Sequence, residues 1–296
     1  MRPEARASTS PLMAQLFAED LAPVLPVYHA CIDELAARQP ALAGAWRGCR
    51  GRAGFLLPHL LAEYGHEARS GVLPAGETRE ALVPLGLQVL AICVDDDVAD
   101  GQAGGFVERV DSVCAAELLQ ALAWARLPRA GSHASLVQAE LERLLVAVTR
   151  YQHLDAVQIE RAAGGDFRLA DYLESAHKAG SLVEAGLRLG LALAGGDPDR
   201  SEAEGFARRF GLAFQILDDV RDLDEDRASF GAPVTLPMLY AQRGEPLGAA
   251  YRLAEDALAE ARALGASFGP GRRLVRLVDR LAELFAKLRI EEGRGA

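Results

Sequence analysis

The stretch Leu87–Gly105, LQVLAICVDDDVADGQAGG, drives a largely apolar segment straight into Asp95, Asp96, Asp97 and Asp100. Two carboxylates ~5 Å apart repel by about 3 kcal/mol at an effective dielectric near 20, and by less than about 1 kcal/mol in bulk water. Such a cluster is cheap on an open surface and costly at the mouth of an apolar cavity. A second cluster tips the choice. Phe214–Asp226, FQILDDVRDLDED, also grows out of an apolar run. Asp96, Asp97 and Asp100 spell DDxxD, and Asp218, Asp219 and Asp222 spell it again. On a helix, positions i and i+4 share a face, which pairs Asp96 with Asp100 and Asp218 with Asp222. One acidic run is ordinarily a solvated face. Two of the same spelling, each ending an apolar run, point to a metal site. Mg2+ is hard, takes oxygen ligands and commonly bridges one or two carboxylates to phosphate oxygens. Two facing pairs would suit a diphosphate.

The remaining pattern predicts helices. SLVQAELERLLVAVTRYQ, FARRFGLAFQILDDVRDL, AYRLAEDALAEARALG and RRLVRLVDRLAELFAKLRIEE repeat apolar residues at three- and four-residue spacing and are rich in Ala, Leu, Glu and Arg. Gly and Pro fall mainly between them, as in LAGGDPDRSE and LGASFGPGRR. The expectation is one all-α domain over residues 1–296, its helices apolar enough to pack on several sides. A net charge of −10 disfavours nucleic acid or an anionic membrane as a direct partner. Cys31, Cys49, Cys93 and Cys114 show no CxxC spacing, which suits a reduced, cytoplasmic setting better than a disulfide framework. The N-terminus lacks the long apolar core of a signal peptide, and Ala81–Val94, the longest uncharged apolar stretch, is too short to span a bilayer. The six histidines are dispersed, and no Ser/His/Asp or Cys/His nucleophile is called for.

The chain resembles the trans-isoprenyl diphosphate synthases and the related class I terpene synthases. YQHLD (Tyr151–Asp155) is similar to the family's GQxLD and places Gln152 at its glutamine. YLESAHKAGSLVEAGLRLGLALAG is similar to Y…KTGALIE…LG, with Lys178 where the family's lysine contacts the substrate diphosphate. FGLAFQILDD matches the approach to the second motif, with Phe214 and Gln215 in place, and VTLPMLYA resembles KxTLPxLYA. The resemblance implies a helical bundle of the isoprenoid synthase type with a central apolar cavity. It also implies three Mg2+ ions on Asp96, Asp97, Asp100, Asp218, Asp219 and Asp222, a prenyl diphosphate substrate and a homodimer. Lys178, with Arg227, would add fixed positive charge to the leaving diphosphate.

The same resemblance exposes gaps in the pocket for a second substrate, isopentenyl diphosphate. RGCRGRAGFLLP stands where GKRxRP is expected, with Arg52 at the lysine position and Ala53 and Phe55 where arginines belong. Val89 replaces a histidine before the first motif, and DGQAGGFVERV has no arginine pair after it. A buried diphosphate without Lys or Arg partners is heavily penalised. The leading expectation is therefore a terpene synthase that ionises one prenyl diphosphate alone. The alternative is a prenyltransferase whose second anion site is rebuilt by Arg47, Arg50 or Arg52, and a further one is a non-catalytic partner of such a synthase. Ala91 and Ile92 occupy the family's chain-length gates, and the small Ala91 favours a farnesyl or longer chain. Phe210, Phe214, Phe167 and Tyr151 are candidates either for steadying a carbocation or for plain core.

Overall fold

The computed structural model describes residues 17–51, 56–99, 105–197, 199, 201–230 and 234–295. Its helices are α1 (Leu25–Arg38), α2 (Ala43–Gly51), α3 (Leu57–Ser70), α4 (Gly76–Glu80), α5 (Val83–Ala99), α6 (Phe106–Ala125) and α7 (Ala134–Ala163). They continue with α8 (Leu169–Ser175), α9 (His177–Leu193), α10 (Ser201–Arg221), α11 (Leu223–Phe230), α12 (Leu236–Gln242), α13 (Gly248–Ser267) and α14 (Arg273–Gly295). Two 3-10 turns, Pro40–Leu42 and Leu127–His133, join neighbours. Among the described residues there is no strand, so the all-α expectation holds.

Helices α5 and α9 form the centre, α5 because its sequence leaves it no polar face for most of its length and α9 because only a narrow polar stripe interrupts its apolar surface. Every residue of α5 from Val83 to Val94 is buried, as a helix apolar all round must be. Helix α9 is buried almost throughout from Val183 to Leu193, and glycine lets it pack backbone to backbone. A Cβ at Gly186 would overlap the Pro58 carbonyl oxygen, and one at Gly190 the Ala62 carbonyl oxygen, both on α3. On its other side, a Cβ at Gly211 of α10 would lie 2.5 Å from the Gly180 Cα. Helix α9 is thus held between α3 and α10 with no side chain as spacer.

These contacts place the functional ends. Helix α10 packs back along α9 through the Gly180–Gly211 contact. Beyond the Gly180–Gly211 crossing, the first turn of α9 and the last turns of α10 therefore rise together. The main core joins α1, α3, α5, α6, α9, α10, α13 and α14, while a second core joins another side of α5 with α7 and α9. Ala91 belongs to the first and Ile92 to the second, so the two gate positions are built into packed walls. Val89 is 1% exposed within the second core. A groove of about 580 Å³ opens elsewhere, on the side of α7, α9 and α10, where Arg143, Arg150, Glu184 and Arg208 help line it. No helix among the described residues is long and apolar enough to cross a membrane.

Candidate active site

Lys178 is the second residue of α9. Positive charge there is opposed by the helix dipole, so the ammonium needs anionic partners. It finds two. Lys178 Nζ donates to Asp96 Oδ1 of α5 at 2.9 Å and to Asp155 Oδ2 of α7 at 3.3 Å. One lysine therefore ties together the first acidic motif, the YQHLD segment and the N-terminus of α9. Gln152, one turn before Asp155, holds a buried amide oxygen that accepts no hydrogen bond.

The acids of each motif divide by face. Asp96 is partly exposed whereas Asp97 is buried. In the second motif Asp218 and Asp222 meet solvent, while Asp219 is turned into the core. Asp219 Oδ1 accepts from Gln215 Nε2 at 2.8 Å, and Oδ2 lies 3.5 Å from the Leu236 amide at the start of α12. Gln215 thus acts as a strut for an aspartate. The buried Tyr172 hydroxyl of α8 faces the same carboxylate without a hydrogen bond of normal geometry. Burial pushes the Asp219 carboxyl up to about 7, against the lowering influence of Tyr172 and Gln215. Partial burial, with the neighbouring Asp222 charge, pushes Asp218 up to about 6 against the opposing pull of Arg221.

Arg221 was not foreseen. It fills a variable position inside the second DDxxD. Its Nε and Nη2 donate to the two oxygens of Asp222 at 2.7 and 2.6 Å, and Nη2 lies 3.0 Å from Asp218 Oδ1. The sequence signal was helical spacing, i+3 from Asp218 and adjacent to Asp222, whereas the expectation had sought cations only after the motif. Arg227, the residue expected there, is half exposed and 3.6 Å from Asp224 on its own helix. Of the arginines near the missing second anion site, Arg50 pairs with Asp33 and Arg47 is exposed. Arg52, Ala53, Phe55 and Asp100 lie outside the described residues. Phe210 and Phe167 are core, Phe210 in a ladder with Phe206 and Phe214 on one face of α10. Tyr151 tilts against His177 at the groove.

The donors at both motifs are carboxylate oxygens, the set a hard cation takes. Among the described residues no three His, Cys, Asp or Glu side chains converge closely enough to hold an ion. The first motif still fits one, since Asp96 is partly exposed and its partner among the described residues is a point-charge ammonium, which a divalent ion can displace. The second fits poorly, because a planar guanidinium already holds the accessible oxygens of Asp218 and Asp222.

The family model described as Polyprenyl synthetase matches residues 105–258, just over half of the chain. The chain belongs to the polyprenyl synthetase family. Within that family it is 40% identical over 68 residues to a short chain isoprenyl diphosphate synthase of Methanocaldococcus jannaschii, covering 22% of this chain and 21% of that protein. The corresponding protein of Methanothermobacter thermautotrophicus is 39% identical over 66 residues, covering 22% of this chain and 20% of that protein. These matches span about a fifth of either relative. Solved structures extend the likeness of fold. A decaprenyl diphosphate synthase from Rhodobacter capsulatus superposes with a TM-score of 0.71 at 18% identity, covering 93% of this chain and 98% of that one. A geranylgeranyl pyrophosphate synthase from Lactobacillus brevis gives 0.67 at 16%, covering 91% and 99%. A polyprenyl synthase from Caulobacter crescentus, complexed with calcium and isoprenyl diphosphate, gives 0.66 at 21%, covering 92% and 96%. This member of the polyprenyl synthetase family thus has the isoprenyl synthase fold along nearly its whole length.

Proposed function

We propose that the protein is a trans-prenyltransferase that joins isopentenyl diphosphate to an allylic prenyl diphosphate of the farnesyl or geranylgeranyl class. This replaces the leading expectation of a terpene synthase. The observation that carries it is the match of residues 105–258 to the polyprenyl synthetase family, and the Lys178 ammonium shared by Asp96 and Asp155 at 2.9 and 3.3 Å supports an anion site in this chain. Membership in the polyprenyl synthetase family supports the transferase reading, as do the names of all the relatives given above.

The chain's own groups suit the departure of a diphosphate. Lys178 can exchange a carboxylate oxygen for a phosphate oxygen without moving far, and so hold fixed positive charge where the leaving group gathers negative charge. The bond between the allylic carbon and the diphosphate oxygen breaks with its electron pair on the oxygen, the double bond of isopentenyl diphosphate supplies the pair for the new carbon–carbon bond, and the proton then lost from the resulting cation passes to the released diphosphate. Asp96, with Asp100 by resemblance, would hold a hard divalent ion such as Mg2+, which when bound supplies Lewis acidity to those oxygens. The buried Asp97 and Asp219 stiffen the two motifs from behind. The apolar walls carrying Ala91 and Ile92 keep water from the allylic chain.

One observation favours the second reading, a terpene synthase: Val89, at the family's histidine position, is apolar core and offers nothing to a second diphosphate. Product mass separates the two. With farnesyl diphosphate, isopentenyl diphosphate and Mg2+, the transferase makes a longer diphosphate and a chelator stops it. A hydrocarbon or alcohol formed without isopentenyl diphosphate establishes the terpene synthase instead. Absence of turnover under every condition overturns both.

A further inference from the structure

The second motif carries a cation of its own. In the first motif, a lysine lends one ammonium to carboxylates on two helices. In the second, three guanidinium contacts of 2.6–3.0 Å fall on carboxylates one helical turn apart, and all of them come from within the motif. A fork matched to a carboxylate makes the stronger, geometrically fixed hydrogen bonds. Its charge is permanent, because a guanidinium does not deprotonate in a protein. Only 23% of the Arg221 side chain meets solvent, although its carboxylate partners stay partly exposed. Arginine at this place also weakens the electrostatic reason for a metal, since one of the two carboxylate charges is already balanced. Asp218 and Asp222 are already bridged, as they would be by a divalent ion.

We propose that Arg221 is a resident cation of the second acidic motif, occupying the place between Asp218 and Asp222 that a divalent ion would otherwise take. The substrate-free protein then loads divalent metal at its first motif and not at its second. This rests on reading the motifs as metal sites, as in the proposed function, and deepens it by assigning the order of loading. Metal reaches Asp218 and Asp222 only when the guanidinium is drawn away, for which an incoming diphosphate is the chemically matched acceptor.

The test is a Mn2+ titration of the full chain without any prenyl diphosphate, counting bound ions by electron paramagnetic resonance. In the wild type, Asp96→Asn should abolish tight binding and Asp218→Asn should leave it unchanged. Arg221→Leu should add a second ion, with affinity on the order of tenfold or more above anything the wild type shows at that motif. A further Asp218→Asn should remove it again. Arg221→Lys, which keeps the charge and loses the fork, should give an intermediate affinity. Identical stoichiometry and affinity in wild type and Arg221→Leu overturns the proposal. Loss of a wild-type ion on Asp218→Asn also overturns it and needs no Arg221 variant to fold. Metal binding as expected with no prenyl product sinks the proposed function alone. Product formation with no change in the titration sinks this inference alone.

Discussion

Lys178 is the residue on which three helices agree, and its replacement is the sharpest test at this scale. Lys178→Ala should lower kcat/KM for the allylic diphosphate on the order of a hundredfold to a thousandfold, as loss of one charge-stabilising donor does elsewhere. Lys178→Arg should recover part of that loss. Steady-state kinetics decide, and an unchanged kcat/KM removes Lys178 from the reaction. Asp219 yields a different expectation. Burial pushes its folded-state carboxyl up to about 7 from the ordinary aspartate value of 3.8, so between those two values the native state holds a proton that the unfolded chain has released. Its contribution to stability is present in full below about 4 and is lost as pH rises through about 7. Chelated protein should therefore gain melting temperature from this group as pH falls from 7.5 to 5.5. Asp219→Asn should flatten that slope, and an equal slope in the variant refutes the assignment. At the residue scale the sequence was legible where spelling and spacing sufficed, as for Lys178 and the two DDxxD motifs. It was illegible where direction mattered. Nothing in the letters says that Asp97 and Asp219 turn inward while Asp96 and Asp218 turn out, because rotation about the helix is set by packing against helices far away in sequence.

At the scale of elements, α9 fixes the site because its glycines let α3 and α10 come within backbone contact. Gly190→Ala should destabilise the fold by about 3 kcal/mol, since the new methyl meets the Ala62 carbonyl oxygen rather than a yielding side chain. The same substitution at Gly48 of α2, where a Cβ meets nothing within 4 Å, should stabilise by up to about 1 kcal/mol. Denaturant unfolding of the two variants measures both. Equal effects would show that propensity, not approach, governs α9. The helices themselves were readable from three- and four-residue spacing, as SLVQAELERLLVAVTRYQ in α7 illustrates. The pairing of Gly190 with Ala62 was not, because no local pattern names a partner more than a hundred residues away.

At the scale of the molecule, α6 leaves an apolar edge open. Phe106 is 75% exposed, and Val107, Val110 and Val113 continue the exposure along neighbouring turns. A stripe of this kind marks an interaction surface, and a second copy of the chain is the occupant expected from the resemblance. Phe106→Glu with Val110→Glu should shift the protein to half its wild-type mass in light scattering. A wild-type monomer, or a variant that stays dimeric, contradicts that assignment. The whole fold was legible because its determinants repeat along the chain, and structural relatives span it almost end to end. The choice between one substrate and two was not, since it depends on cations in three dimensions, and Arg221 shows that a cation can stand where spelling alone does not look for one.

The central claim is that Asp96 and Lys178 receive the diphosphate of a prenyl chain. A crystal structure with Mn2+ and an unreactive allylic thiolodiphosphate tests it most directly. The expected result is an anomalous peak at Asp96, with the Lys178 ammonium moved onto a phosphate oxygen. A diphosphate bound elsewhere, with the Lys178–Asp96 pair intact and no metal at Asp96, would contradict it.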